Sequence, residues 1–460
     1  MKKRSFAVTV AVLLLAGAVS APAGAQARAL TFVGCSEMAL RNAVTASNGM
    51  MGGDSLSLMP YCVYTLTTPL PTLTEPLGID GHHATIRRDP TVGAFGIFDV
   101  GPVGLGMLDL TVMNGSNSDG GGAVALTVPG GSLTTTDVDF LGNTGGSGGA
   151  ILAGEGTMLH LTGGTVGDNR GVVGAGGIAA SGESTTVTLQ SVTVSGNRSA
   201  GYGGGISLGI GGQTTLVNTT IRANTAQQAA GGIYFTGAGP MVASNVRITD
   251  NRVSNSAEGG GGILLNTEGT APTAQFTDST ISGNTVTGFG TADDLNSRGG
   301  GVFVENGVVV LDGTTVAGNQ VIGAGGAGGG VAVRPTAGQN ALALSDNSTV
   351  TGNLVSGRYG KGGGIFVDKG AFTSFLSVDT SHIDGNKVTG TGSVSGGVYN
   401  IGGTFAFNAA SVNNNIAPNA PAPGGVYTDT AITNVTTTTF TGNTPTNCLY
   451  SPVTVTNCMN

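Results

Sequence analysis

Tryptophan is absent from this 460-residue chain, and aromatic residues make up only 5% of it and charged residues only 10%. Single compact cores stop growing at roughly 250–300 residues, and a chain so poor in large side chains would struggle to fill even two of them. Cations are fewer than acids, 18 Lys and Arg against 26 Asp and Glu. That balance argues against nucleic acid as a partner, because phosphate binding needs a basic footprint. The four cysteines, Cys35, Cys62, Cys448 and Cys458, never take the short two-residue spacing of a zinc site. No helix-period segment of any length follows residue 48, and no stretch beyond the N-terminal one is apolar enough to span a bilayer.

At the N-terminus, Lys2, Lys3 and Arg4 precede an apolar run from Phe6 to Val19, with small residues around Ala23, Ala25 and Ala27. This reads as a secretory signal peptide over 1–27, so the mature chain is expected to be secreted, extracellular or on the cell surface, without a membrane span. Its loss takes the formal charge from −8 to −8 − 3 = −11. In an exported protein an even cysteine count reads as disulfides. Three connectivities are open, and the grouping of the cysteines at the two ends favours Cys35 with Cys62 and Cys448 with Cys458.

Glycine, by contrast, is abundant, with 84 in the chain. Clusters recur before an apolar triplet, as in GGAIL (148–152), GGGISL (203–208), GGGVFV (299–304) and GGGIFV (362–367). The apolar marks Val124, Ile151, Ile178, Ile206, Ile233, Ile263, Val302, Val331, Ile365, Val398 and Val426 are mostly 27 to 34 residues apart, with one step of 39. Between them runs a second ladder of apolar-x-x-Asn, with asparagines at Asn143, Asn169, Asn197, Asn224, Asn251, Asn284, Asn319, Asn353, Asn386, Asn415 and Asn443. Two interleaved ladders of one period mark an internal repeat. Within each unit, short β-branched segments such as 186–194 alternate with period two, which means strands.

A propeller blade needs a longer and more aromatic unit. The repeat suits an all-β solenoid, a parallel β-helix of about eleven coils or more in which identical positions stack. Asparagine at a stacked turn is expected to take the left-handed conformation and to bond the amides above and below. Glycine is expected where a side chain would crowd the stack. Residues 36–44 form the one amphipathic helix, with Ser36 as N-cap and Leu40, Ala43 and Val44 inward, a lid on the first coil. The expected organisation is signal peptide 1–27, cap and first coils 28–110, β-helix repeats 111–444 and a disulfide-closed tail 445–460.

The segments CSEMALRNAVTASNG, GDSLSLMPYCVYTL, ATI and NCLYSPVTVTNC resemble secreted bacterial right-handed parallel β-helix repeat proteins. GGAI at 148–151 and Phe-x-x-Asn at 140–143 and 440–443 are similar to repeats of chlamydial polymorphic outer-membrane proteins. The resemblance covers nearly the whole mature chain and implies a right-handed coil. Its members include adhesins, passenger domains and polysaccharide-cleaving enzymes. Polymorphic membrane proteins end in a membrane β-barrel, whereas this chain stops soon after its last repeat.

The search for chemistry finds little. Acids are scattered one or two per coil and read as solubilising groups. His82 and His83 are neighbours that on a strand would point to opposite faces and could not chelate one ion; in a turn that objection weakens. His160 and His382 are isolated. The spaced glycines of 323–328 lead into Val-Ala-Val and Pro335 instead of a helix, so a dinucleotide site is not expected. No nucleophile elbow sits between a strand and a helix. The expectation is therefore a noncatalytic structural, adhesive or glycan-binding scaffold with no cofactor and no metal, its partners cell-envelope or extracellular glycans or proteins. The alternative is a carbohydrate-active enzyme, lyase or glycoside hydrolase, with an atypical site. The distance from ladder asparagine to next apolar mark is 8 or 9 residues in early coils but 18 from Asn284 to Val302, and 11 or 12 elsewhere in the second half. Such insertions predict a ridge of loops carrying Asp293, Asp294, Arg298, Arg358, Tyr359 and Lys361 as a contact surface.

Overall fold

The structure, a computed structural model, describes residues 30–459 except 255–257, 267–272, 289–296, 337–338, 369–372 and 419–421. Each coil follows the order the repeat dictates. After a glycine cluster comes a sheet B strand such as Ile206–Ile210, then two sheet A strands, Thr214–Val217 and Thr220–Arg222. The asparagine corner follows, and then a short sheet C strand, Thr225–Ala226. Every strand pairs in parallel with its counterpart one coil on, so that Ile206 lies beside Ile233, Ile221 beside Ile248 and Thr225 beside Arg252. Among the described residues sheet C has ten strands, and Val302–Asp312 runs unbroken from sheet B into sheet A. The chain is a parallel β-helix with its valine, isoleucine and leucine columns buried inside.

The ladder asparagines are buried, and each amide is fully used. Asn284 Nδ2 donates to Asn319 Oδ1 at 2.9 Å and to the Ile248 carbonyl at 2.8 Å. Its Oδ1 accepts from the backbone N and the Nδ2 of Asn251, both at 3.0 Å. The same pattern runs from Asn143 to Asn443, where Asn447 takes the last Nδ2 at 2.8 Å. The left-handed residue, expected to be asparagine, is instead the one before it: Gly142 (φ 61°), Asp168 (φ 54°), Ala223 (φ 54°) and Asn414 (φ 57°). That residue turns the chain so that the next side chain points into the stack, a geometry the asparagine reaches without strain of its own. Glycine is required for closeness: a Cβ on Gly261 would collide with the Gly300 carbonyl of the next coil, and one on Gly300 with that of Gly329.

The lid is helix α1 (Glu37–Ser47), whose Ala39 N–H donates to Ser36 Oγ at 3.1 Å, with Leu40 and Val44 buried beneath it. Cys35–Cys62 bridges the lid to the first coils and Cys448–Cys458 closes the far end, with Cα separations of 5.7 and 6.2 Å. Among the described residues no helix is long and apolar enough to cross a membrane.

Candidate functional site

In a three-residue sheet B strand the outer two residues point inward and the middle one outward. The outward column begins with Ala125, Leu152, Ala179 and Ser207. It then becomes Tyr234, Leu264, Phe303, Ala332, Phe366, Tyr399 and Tyr427. Because equivalent positions stack, the rings stack too. Phe366 and Tyr399 have centroids 5.8 Å apart, and Tyr399 and Tyr427 lie 4.8 Å apart and nearly parallel. Tyr202 stacks on Tyr234 at 4.8 Å. Phe303, Phe366 and Tyr399 are covered, whereas Tyr202, Tyr234 and Tyr427 keep part of their surface in solvent.

Two charged rows flank this column. Glu305, Arg334 and Asp368 follow the inward residues Val304, Val333 and Val367 on successive coils, and Arg334 Nε reaches Asp368 Oδ2 at 3.5 Å. On the other side single bridges align Gly259, Arg298, Ala327 and Lys361. The Arg298 guanidinium stands 5.6 Å over the Phe303 ring, and Lys361 Nζ stands 5.5 Å over that of Tyr399.

These groups sense one another. Burial, with Arg334 adding to it, lowers Arg298 to about 10 against the pull of Glu305 and Asp368. Arg298 is 8% exposed, and its Nε has no hydrogen-bond partner among the described residues. Burial raises Glu305, and the Glu258 charge raises it further, while Arg298 and Arg334 oppose. Burial alone raises Glu258. Tyr234 is pushed up to about 12 by burial first and then by Glu258, Tyr202 and Glu305. Tyr399 is raised by burial and by Tyr427, Asp429 and Asp368. Partly buried charge is costly and seldom adds stability over apolar packing. The early coils build the same outward column from alanine, leucine and serine, so the fold does not require aromatic rings and charged neighbours there. Clustered shifts of this kind recur at functional sites as well as in structural charge networks, and they make this face the candidate site.

The expected ridge divides. Asp293 and Asp294 lie outside the described residues. Arg298 and Lys361 belong to the row facing sheet B, and Arg298 is buried. Arg358 and Tyr359 sit in the turn leading to Lys361, with the Arg358 guanidinium 5.5 Å over the Tyr359 ring, which is 37% exposed. Glu305, Arg334, Asp368 and Glu258 were missed as a group, since along the chain they are scattered. The available signal was register: Glu305, Arg334, Asp368 and Asp429 each stand three residues after an apolar mark.

His82 and His83 lie in an irregularity of the strand Leu77–Arg88, with φ of 47° and 61°. They face different acids, His82 Nδ1 lying 3.5 Å from Asp80 and His83 Nδ1 2.6 Å from Asp109. His382 Nδ1 meets Ser411 Oγ at 2.9 Å, and His160 Nε2 meets Thr162 Oγ1 at 3.4 Å. Among the described residues no three His, Cys, Asp or Glu are grouped to hold a metal ion.

A family model agrees with the fold. Residues 122–336 match the model of the right-handed β-helix region, and the chain is an all-β, right-handed parallel β-helix. A solved structure, the A-module of mannuronan C-5 epimerase AlgE6 from Azotobacter vinelandii, is similar at 14% identity and a TM-score of 0.40. The similarity covers 87% of this chain and 94% of that one. No curated protein matches the sequence.

Proposed function

We propose that the protein is an exported β-helix scaffold that binds an extended glycan along the outward face of sheet B, from Tyr202 to Tyr427. The observation that supports this most is the aromatic-rich outward column, open at Tyr234 and Tyr427, between two rows that carry charged groups. Sugar rings have apolar faces that pack on aromatic rings, and hydroxyl pairs that suit planar carboxylates and guanidinium forks. Tyr234 and Tyr427, the column's rings with surface left in solvent, and charged groups repeated from coil to coil at about 4.8 Å suit a repeating chain better than a compact ligand. Disulfides at both ends fit an oxidising, extracytoplasmic setting.

Affinity electrophoresis and calorimetry against neutral and acidic polysaccharides test the reading. Binding is expected for the wild type, with about tenfold weaker affinity for Tyr427→Ala and for Arg334→Ala, equivalent to ~1.4 kcal/mol each. Unchanged affinity in both variants of a protein that binds would move the site off sheet B.

A second reading, turnover of the bound chain, is favoured by the raised Glu258 and Glu305 carboxyls, which such a shift suits to general acid work. Chain shortening by the wild type that Glu305→Gln abolishes, with binding retained, would establish it.

A further inference from the structure

At the opposite end of the rod the first coils hold a second arrangement, on the outward face of sheet A. Ser57 and Asp80 are register neighbours on adjacent strands. Between Asp80 and Ala84 the strand carries three residues, 81–83, where the next coil has only Asp109 between Leu108 and Leu110. The two extra residues place His82 and His83 in left-handed conformations, which for side chains of this size persist only where the surroundings impose them. The Tyr61 N–H, donating to the His82 carbonyl at 3.1 Å, ties this bulge to the preceding coil.

As a result His82 turns back over Ser57. His82 Nε2 lies 3.0 Å from Ser57 Oγ, and its Nδ1 lies 3.5 Å from Asp80 Oδ1. One tautomer satisfies both: with the proton on Nδ1, the ring faces the carboxylate there and accepts the serine proton at Nε2. Ser57 and His82 open into a cavity of about 370 Å³ whose other walls are largely apolar, including Phe32, Leu58, Met59 and Pro60. Phe32 and Met59, 79% and 55% exposed, leave its mouth apolar as well.

We propose that Ser57, His82 and Asp80 form a serine hydrolase centre for carboxylic esters with an apolar acyl group, independent of the glycan face. A nucleophile, a base within hydrogen-bond reach and an acid behind the base are recognised by geometry and not by order along the chain. Ser57 Oγ attacks the ester carbonyl carbon while its proton passes to His82 Nε2. The ester C–O bond breaks, and the alcohol leaves with that proton. Water, deprotonated by the same nitrogen, then cleaves the acyl-serine, releasing the carboxylic acid and restoring Ser57. Asp80 is a positioning residue that holds the imidazole. The cavity takes the acyl chain.

The test uses the exported protein with p-nitrophenyl acetate, butyrate and octanoate, and a fluorophosphonate probe followed by peptide mapping. Expected are a covalent adduct on Ser57 and faster hydrolysis of butyrate or octanoate than of acetate. Ser57→Ala and His82→Gln should each lower kcat at least about 100-fold. Asp80→Asn should lower kcat with KM unchanged, while the thermal midpoint holds. If the Ser57 variant fails to fold, labelling of the wild type decides alone. A wild type left unlabelled at Ser57 would overturn the proposal, as would a folded Ser57→Ala protein with undiminished turnover.

Discussion

Replacing Asn284 by alanine removes four side-chain hydrogen bonds from a site with no exposed surface. Two are donated by Asn284 Nδ2, and their acceptors lose a partner without stranding a proton. The other two end on Asn284 Oδ1, so the backbone N–H of Asn251 and one Nδ2 proton of Asn251 become buried and unpaired. At about 1–3 kcal/mol for each unsatisfied donor, the loss is about 2–6 kcal/mol. Asn284→Asp keeps the volume but sets a carboxylate oxygen against Asn319 Oδ1 and the Ile248 carbonyl, and should cost at least as much. Thr287→Val is the control: the Thr287 hydroxyl is buried without a partner among the described residues, so exchanging it for a methyl should be neutral or slightly stabilising. Guanidinium denaturation followed by far-ultraviolet circular dichroism, with the three variants under one set of conditions, gives the midpoints. Equal midpoints for Asn284→Ala and Thr287→Val would refute the ladder as a source of stability.

Nonreducing peptide mapping should join Cys35 to Cys62 and Cys448 to Cys458; a bridge between the two ends would contradict the rod, since a disulfide needs Cα atoms within about 7 Å. Burial pushes the Glu37 carboxyl up, but hydrogen bonds from the Thr67 hydroxyl, Arg41 and the Thr67 and Thr68 amides outweigh it and hold the group at about 2 instead of 4.5. Its contribution to holding the lid is present above pH 4.5 and lost as pH falls towards 2. Hydrogen exchange in α1 should accelerate across that window in the wild type, and Glu37→Gln should flatten the change. In ultraviolet difference titration Tyr234→Phe should remove a phenol that ionises near pH 12; because its folded value is raised from 10, the stability it contributes is full below pH 10 and lost between there and 12. Loss of a phenol titrating near pH 10 would contradict the buried, acid-flanked environment of Tyr234.

The fold was legible because a solenoid repeats its physics: the apolar marks, the period-two strands and the asparagine column are each written about eleven times. The left-handed position was misplaced by one residue, although its own column of Gly142, Asp168, Gly196 and Ala223 stands in the sequence. The fully bonded amide drew attention to the asparagine, when the backbone strain sits before it. The charged face was hidden for a different reason. Glu305, Arg334 and Asp368 belong to separate coils, and only the register that stacks them turns three ordinary surface residues into one cluster. Ser57, His82 and Asp80 were hidden by the bulge, since regular alternation would have turned neighbouring histidines to opposite faces.

The proposed glycan face is tested most directly by hydrogen–deuterium exchange of the purified protein with and without a bound polysaccharide. Protection is expected in peptides spanning 298–305, 331–334, 365–368 and 398–401, with the sheet A strands of the same coils unchanged. Protection confined to sheet A or to the disulfide-closed ends, with sheet B unaffected at saturating ligand, would contradict the account.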